Sequence, residues 1–419
     1  MSRYAGGWTA SARDLRILAI GNMYPPHHAG GYELMWQAAT RHARALGHEV
    51  RVLVSDYRAS PDRAEDELDI HRTLRWYWDL DRYEFTQLSP AQRVALERHN
   101  AAELARHIGE FRPDVVSWWS MGCMSLSLIE QVRRAGLPGV FIVHDDWLVY
   151  GPQYDQWSRM WRGRPRALTR LVEGMFGVPT EIDFDGAGPF VFNSRYTLER
   201  ALETGLEPMS EAVVHPGIDE RFLAAEPPGP WRWRLVYVGR VDRQKGIDTA
   251  VRALAHLPPV ASLSIWGTGD ARYIAEMQRL AADLGIADRV SFDGWADPEQ
   301  AVRVYADADA VVFPVCWQEP FGLVPLEAMG MGRPVVTTAR GGTAEFIRDG
   351  GNALVFEADD DDGLARSIQH LGEDEGLRER LRHAGRETAA NFTIGRFAAE
   401  TVDQIVRAAQ PAVTGNPRA

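Results

Sequence analysis

Short apolar runs separated by stretches of helical periodicity recur along both halves of this chain, and that alternation constrains its fold more than any other feature. Strands of a parallel sheet are covered on both faces and read as continuous apolar segments, whereas the connections between them carry a 3.6-residue repeat. The pattern predicts an α/β protein with two parallel sheets built from βαβ units. In the first half, strands are expected near Leu15–Ile20, Glu49–Ser55, Val115–Trp119, Val140–Val143 and Phe190–Phe192, with a helix over Glu33–Leu46. In the second, they are expected near Leu235–Gly239, Ser262–Trp266, Val290–Phe292, Ala310–Pro314 and Pro334–Thr337. With 419 residues the chain is long for one core and suits two domains of about 200 residues each. The Pro- and Gly-bearing stretch 219–233 is the best linker, which divides the chain into 1–218 and 234–394.

Composition narrows the setting. A net charge of −12 argues against a nucleic-acid partner. Two cysteines, Cys123 and Cys316, offer no disulfide framework, so a reducing cytoplasm is the simplest location. The first residues contain no apolar leader, and no later run is long and apolar enough to span a bilayer.

Of 46 basic residues only one, Lys245, is lysine. A general preference for Arg makes that exception a local matter, such as a compact ammonium reaching a phosphate where a guanidinium fork is too bulky. Its setting agrees, because L-V-Y-V-G-R-V-D-R-Q-K-G (235–246) reads as a strand, a glycine and a basic loop with Arg240 and Lys245 ahead of a helix beginning at Ile247. A helix N-terminus of this kind is a place for an anion. A surface lysine left by chance is the alternative. A second constellation, W-Q-E-P-F-G-L-V-P-L-E-A-M-G (317–330), places Glu319 in a loop and Glu327 in the first turns of the next helix. Carboxylates beyond nucleotide-binding strands accept hydrogen bonds from vicinal hydroxyls. Together the two segments read as a sugar-nucleotide site.

The run G-R-x-x-x-x-K-G, the two glutamates eight apart, and G-G-T-A-E with D-G-x-N at 341–352 resemble the family-four glycosyltransferases (glycosyl transferases group 1), with their order and spacing kept over 235–370. The first half is similar more loosely, through R-I-L-A-I, P-P-H-H-A-G-G-Y-E, V-F-I-V-H, V-F-N-S and H-P-G-I-D, while 58–110 and 145–190 have no match. The resemblance implies the GT-B fold, two Rossmann-like doubly wound domains facing a cleft, with a last helix at about 395–411 completing the first domain. It implies a retaining transferase that uses a nucleoside-diphosphate sugar as co-substrate, a UDP-sugar among the candidates, with no other cofactor. It also carries roles onto residues. Gly30 and Gly31 lie in the loop over the donor diphosphate, His144 beside the transferred sugar, and Gly294 and Trp295 at the base. Gly239, Phe321, Gly322 and Leu323 line the donor site, Glu319 takes hydroxyls of the donor sugar, and Glu327 takes the ribose.

Each of these has a plainer reading: a turn for Gly30 and Gly31, a core histidine for His144, packing for Trp295. Three D-x-D triplets, Asp79/Asp81, Asp183/Asp185 and Asp307/Asp309, and the run Asp359–Asp362 invite a metal, but the first two lack a preceding strand, the third reads as a solvated turn and the fourth as a helix start. No metal is expected, since Arg240 and Lys245 can neutralise a diphosphate. The unmatched segments are rich in aromatics: Trp76, Tyr77, Trp78, Tyr83 and Phe85, then Trp147, Tyr150, Tyr154, Trp157 and Trp161. Such faces suit sugar rings or a flat aglycone, and core packing is the alternative. Trp76, Trp78, Trp147, Tyr150 and Trp157 are the acceptor candidates. The arginine run Arg159–Arg170 leaves open an anionic acceptor, a membrane surface or plain solvation.

These readings converge on transfer of a hexose from a nucleoside-diphosphate sugar to a hydroxyl acceptor, with closure about 219–233 expelling water. Two rivals have different signatures. A dinucleotide-dependent dehydrogenase needs G-x-G-x-x-G after its first strand, where this chain has G-N-M-Y-P-P. A sugar-nucleotide-binding protein without activity would lose an anchor, and every anchor is present.

Overall fold

The computed structural model describes residues 14–27, 30–59, 67–79, 84–224 and 229–410. Tyr83 and Asp81 lie outside them. The strands in chain order are β1 (Arg16–Ile20), β2 (Glu49–Ser55), β3 (Ile70–Leu74), β4 (Trp78–Asp79), β5 (Glu84–Phe85), β6 (Val115–Trp118), β7 (Gly139–Val143), β8 (Phe190–Phe192) and β9 (Glu211–Val213) in the first half. The second half holds β10 (Arg234–Val238), β11 (Ser262–Trp266), β12 (Val290–Gly294), β13 (Ala310–Phe313), β14 (Val335–Thr337) and β15 (Leu354–Val355). All but β4 and β5 form two parallel sheets, ordered β3-β2-β1-β6-β7-β8-β9 and β12-β11-β10-β13-β14-β15. The remaining pair is a small antiparallel hairpin. In both sheets the order reverses beside the first strand of the half. At such a switch point the loops leaving adjacent strands part and open a crevice.

Strand alternation explains the layers. On β1, Ile17 and Ala19 face one side while Leu18 and Ile20 face the other, and each pair enters a different hydrophobic cluster. The Ile17 side is covered by the helices Gly31–Ala45, through Met35, Trp36 and Ala39, and Ile394–Ala408, through Phe397, Val402 and Ile405. The last helix therefore completes the first layered body. The chain passes between the bodies twice at one place, where Ile218 and Thr393 form a parallel bridge. Ile218 N–H donates to Phe392 O and Ile394 N–H to Ile218 O, both at 2.8 Å. A Cβ on Gly217 would lie 2.1 Å from the Thr393 carbonyl carbon, so the two connections touch backbone to backbone.

The expected linker 219–233 differs from a bare connection where it is described. Phe222 is buried in the second body's core, and Trp231 and Trp233 pack against its other cluster. Apolar burial holds its described residues down. Asp309 is also a correction. Expected in a solvated turn, it is buried, and its carboxylate accepts from the Arg232 and Arg234 N–H groups at 2.8 and 2.9 Å with the Arg234 guanidinium at 3.3 Å. It anchors the start of β10.

Candidate active site

The C-terminal ends of β10, β11 and β12 finish in a row of glycines. Gly239 N–H donates to Trp266 O at 2.9 Å, and Gly267 N–H donates to Gly294 O at 2.7 Å. Gly267 has φ +154°, and a Cβ there would sit 1.7 Å from the Gly239 carbonyl oxygen. Only glycine fits, which leaves an edge without side chains where a ligand can approach backbone. Trp295, directly after this edge, is 55% exposed, as suits a surface for a flat ring.

Beyond β10 the chain makes a short helical turn, Arg243–Lys245, whose start is capped by the Asp242 carboxylate accepting from Gln244 N–H. This turn places Lys245 under the loop that follows β13. Lys245 is 8% exposed, and its ammonium lies 2.7 Å from Glu319 Oε2, 5.1 Å from the centre of the Trp317 ring and 6.0 Å from that of Phe313. Trp317 Nε1–H donates to the same carboxylate oxygen at 2.8 Å. Two residues 74 apart, each read from its own motif, thus meet as a nearly buried ion pair. Arg240 does not join it; half-exposed, it lies 3.5 Å from Asp242. Gly322 (φ +90°), where a Cβ would approach Thr343 Oγ1 to 3.0 Å, then turns the chain into the helix Leu323–Gly330. Glu327 lies within that helix and accepts from Tyr305 OH at 2.7 Å. Burial raises its pKa against the pull of that hydrogen bond.

The first body faces this edge with the N-terminus of Gly31–Ala45, where Gly30 N–H donates to Glu33 Oε2 at 2.9 Å. A Cβ on Gly31 would stand 3.2 Å from Leu323 Cδ1, and Leu323 packs against clusters of both bodies. Two helix N-termini therefore meet across the cleft, an arrangement suited to a diphosphate. Ser194 Oγ–H donates to Pro320 O at 2.6 Å, and Glu345 holds both Tyr196 N–H and His215 Nε2, at 3.2 and 2.9 Å.

His144 follows β7. It is buried, stacked on Tyr32 at 4.7 Å and edge-on to Phe397 at 5.2 Å. Burial alone holds its pKa down at about 3, so the imidazole is neutral at ordinary pH. The next residue, Asp145, has the opposite perturbation: burial pushes its carboxyl up to about 7 against the Trp147 N–H, and Tyr150 OH lies 3.3 Å from its Oδ2.

Three expected contacts are corrected by burial. Trp147 and Trp157 have no exposed surface: the first packs with Phe141 and Phe184, and the second donates its Nε1–H to Pro179 O at 2.6 Å. Neither ring presents a face to an acceptor. Phe321 is 2% exposed among His215, Phe346 and Phe392, so its ring supports the loop before helix Leu323–Gly330 from behind. Trp76, Trp78 and Tyr150 remain partly exposed. Trp78 meets Phe85 edge-on at 5.1 Å, and Phe85 stacks on the exposed Tyr154 at 4.5 Å. The sequence reading missed Asp145, Trp317 and Tyr305. Asp145 is next to His144 and Trp317 lies two residues from Glu319, whereas nothing in the sequence joins Tyr305 to Glu327.

Two family profiles match the chain: Glycosyltransferase Family 4 over residues 29–222 and Glycosyl transferases group 1 over 224–388. A lipopolysaccharide core biosynthesis glycosyltransferase, LpsE of Rhizobium meliloti, is 37% identical over 168 residues, 40% of this chain and 46% of that one. The chain thus spans about half the length of that relative, and 45% of a mycobacterial D-inositol 3-phosphate glycosyltransferase. Coverage is broader, 85% and 88%, with a GDP-mannose-dependent alpha-(1-6)-phosphatidylinositol monomannoside mannosyltransferase of Mycolicibacterium smegmatis, at 27% identity. Among solved structures, HepE of Anabaena in complex with UDP and glucose superposes with a TM-score of 0.68 at 20% identity, over 93% of this chain and 99% of that one.

Proposed function

The chain belongs to the family-four glycosyltransferases and has the GT-B fold, and on that premise we propose that it transfers a hexose from a nucleoside-diphosphate sugar to a hydroxyl acceptor with retention and without a metal. The observation that carries the reading is the Lys245–Glu319 pair beneath the meeting helix N-termini. When the donor's C1–O bond to phosphate breaks, negative charge grows on the diphosphate, and a fixed ammonium with two helix N-termini favours that state over the ground state. Glu319, already oriented by Lys245 and Trp317, takes hydroxyls of the sugar. Glu327 takes the ribose. The neutral His144 ring can accept or donate a hydrogen bond at the sugar but brings no charge to it.

Among the described residues no side chain stands out as a covalent nucleophile. The acceptor oxygen therefore forms its bond to C1 on the face the diphosphate leaves, and its proton passes to the departing phosphate oxygen. The acceptor side is the first body, where Trp78, Phe85 and Tyr154 form a partly exposed aromatic shelf and Trp76 lies beside Tyr57 at 5.6 Å. The test is a panel of UDP-, GDP-, ADP- and dTDP-sugars with candidate acceptors, scored by nucleoside diphosphate released and by product mass, with NMR of the anomeric proton. Donor binding without release in every case would favour a binding protein; inverted product would refute retention.

A further inference from the structure

Helix Arg166–Phe176 in the first body has one buried side, where Thr169 and Val172 turn inward and Val172 packs with Trp157 and Val178. The flank beside it is exposed and apolar. At helical spacing Leu168, Leu171 and Met175 share one strip with Ala167, and they are 39%, 61% and 64% exposed. Three of the twelve exposed large apolar side chains among the described residues thus lie on one eleven-residue helix. Water-facing helices do not gain from such a strip.

Arginines border it. Arg166 and Arg170 follow the strip's edge, Arg162 and Arg164 occupy the preceding loop, and Arg159 lies in the last turn of the helix before; all five are exposed. Glu173 is the sole carboxylate on this helix, and it turns away to accept from Arg134 at 2.8 Å and from Thr180. Among the described residues no carboxylate pairs with Arg159, Arg164, Arg166 or Arg170. A chain of net charge −12 thus carries a concentrated positive patch around a greasy strip.

We propose that this face of helix Arg166–Phe176, with the loop before it, docks on an anionic lipid bilayer. The strip enters the headgroup–acyl boundary while the arginines remain at the phosphates, their stems along the apolar side. Charge complementarity selects anionic lipid, and the exposed Leu and Met distinguish a bilayer from a soluble polyanion, which has nowhere to put them. The proposal does not depend on the transferase reading.

The full chain is sedimented with vesicles of phosphatidylcholine alone and of phosphatidylcholine with an equal part of phosphatidylglycerol, at low and high salt. Pelleting is expected only with the anionic vesicles, weakening as salt rises. The triple variant R164A/R166A/R170A is expected to lower partitioning about 100-fold, at roughly fivefold per arginine. The variant L171Q/M175Q keeps every charge and is expected to lower it at least about tenfold. Both change exposed positions, so melting temperature and nucleotide affinity are read as fold controls. Wild-type protein that stays in the supernatant overturns the proposal, as does equal pelleting of the L171Q/M175Q variant. Binding to heparin but not to vesicles would replace the bilayer with a soluble polyanion.

Discussion

Removing the Lys245 ammonium tests the site most directly. In Lys245→Ala the Glu319 carboxylate loses its partner at 2.7 Å but keeps the Trp317 N–H and some contact with water, being 14% exposed on its side chain. Breaking a fully buried pair costs about 3–5 kcal/mol, so the low end, about 3 kcal/mol, is the expected loss of stability. Removing Glu319 as well, in Lys245→Ala/Glu319→Gln, leaves no orphan charge and should return much of that loss. Turnover should not return with it. Loss of one preorganised charge facing a departing diphosphate predicts a fall of about 100-fold or more, near 2.7 kcal/mol. Lys245→Arg keeps the charge, but its planar fork does not match a pocket walled by Trp317 and Phe313, so turnover falls by at least about tenfold with little loss of stability. Urea unfolding followed at two wavelengths, alongside initial rates at saturating donor, separates the two effects. A folded Lys245→Ala enzyme with wild-type turnover would refute the assignment of this lysine to the diphosphate.

Three other outcomes are expected. Chelation with EDTA should leave initial rates unchanged; a loss restored by magnesium or manganese would overturn metal-independence. Trp147→Ala or Trp157→Ala should each lose about 3–5 kcal/mol of stability from the core, whereas Trp78→Ala or Tyr154→Ala should raise the KM for acceptor with nucleotide affinity, by calorimetry, unchanged; a donor defect in the latter pair would move the acceptor elsewhere. Because the folded pKa of His144 lies at about 3 against an ordinary 6.5, the unfolded chain binds the extra proton and stability falls as pH drops from 6.5 toward 3. His144→Phe keeps the stack on Tyr32 without a proton site, so its urea midpoint should change less over that window; an unaltered slope would contradict a neutral, buried imidazole.

Interior strands were legible in the sequence because both faces are covered. On β6, β7, β8, β13 and β14 every residue is buried, which writes a run without charge and apolar but for Ser117 and Thr337. The three unanticipated members of the large sheets, β3, β9 and β15, are all edges. An edge strand has one neighbour and need not be apolar; I-H-R-T-L and E-A-V are sequences a loop could carry. The Lys245–Glu319 pair and the glycine edge were legible for a related reason, since glycine where backbone must approach backbone, and charge where charge must be met, admit few substitutes. Aromatic residues carry no such mark. The same indole serves a core or a sugar face, and only the packing of helices Trp147–Tyr154 and Gln156–Trp161 hides Trp147 and Trp157.

The bridge between Ile218 and Thr393 has a mechanical meaning. Two single covalent threads between bodies would allow sliding, twisting and separation alike, but threads clasped at one point leave chiefly rotation about the clasp. The clasp is made of peptide groups, with the Ile218 side chain held in the second body's core and the Thr393 side chain capping the last helix. Position 217 tolerates no side chain, because any Cβ would pry the threads apart. Severing either thread, as a circular permutation there would, exchanges a pivot for a tether: each body keeps its own core, and the bearing that presents Gly31 to Leu323 is lost.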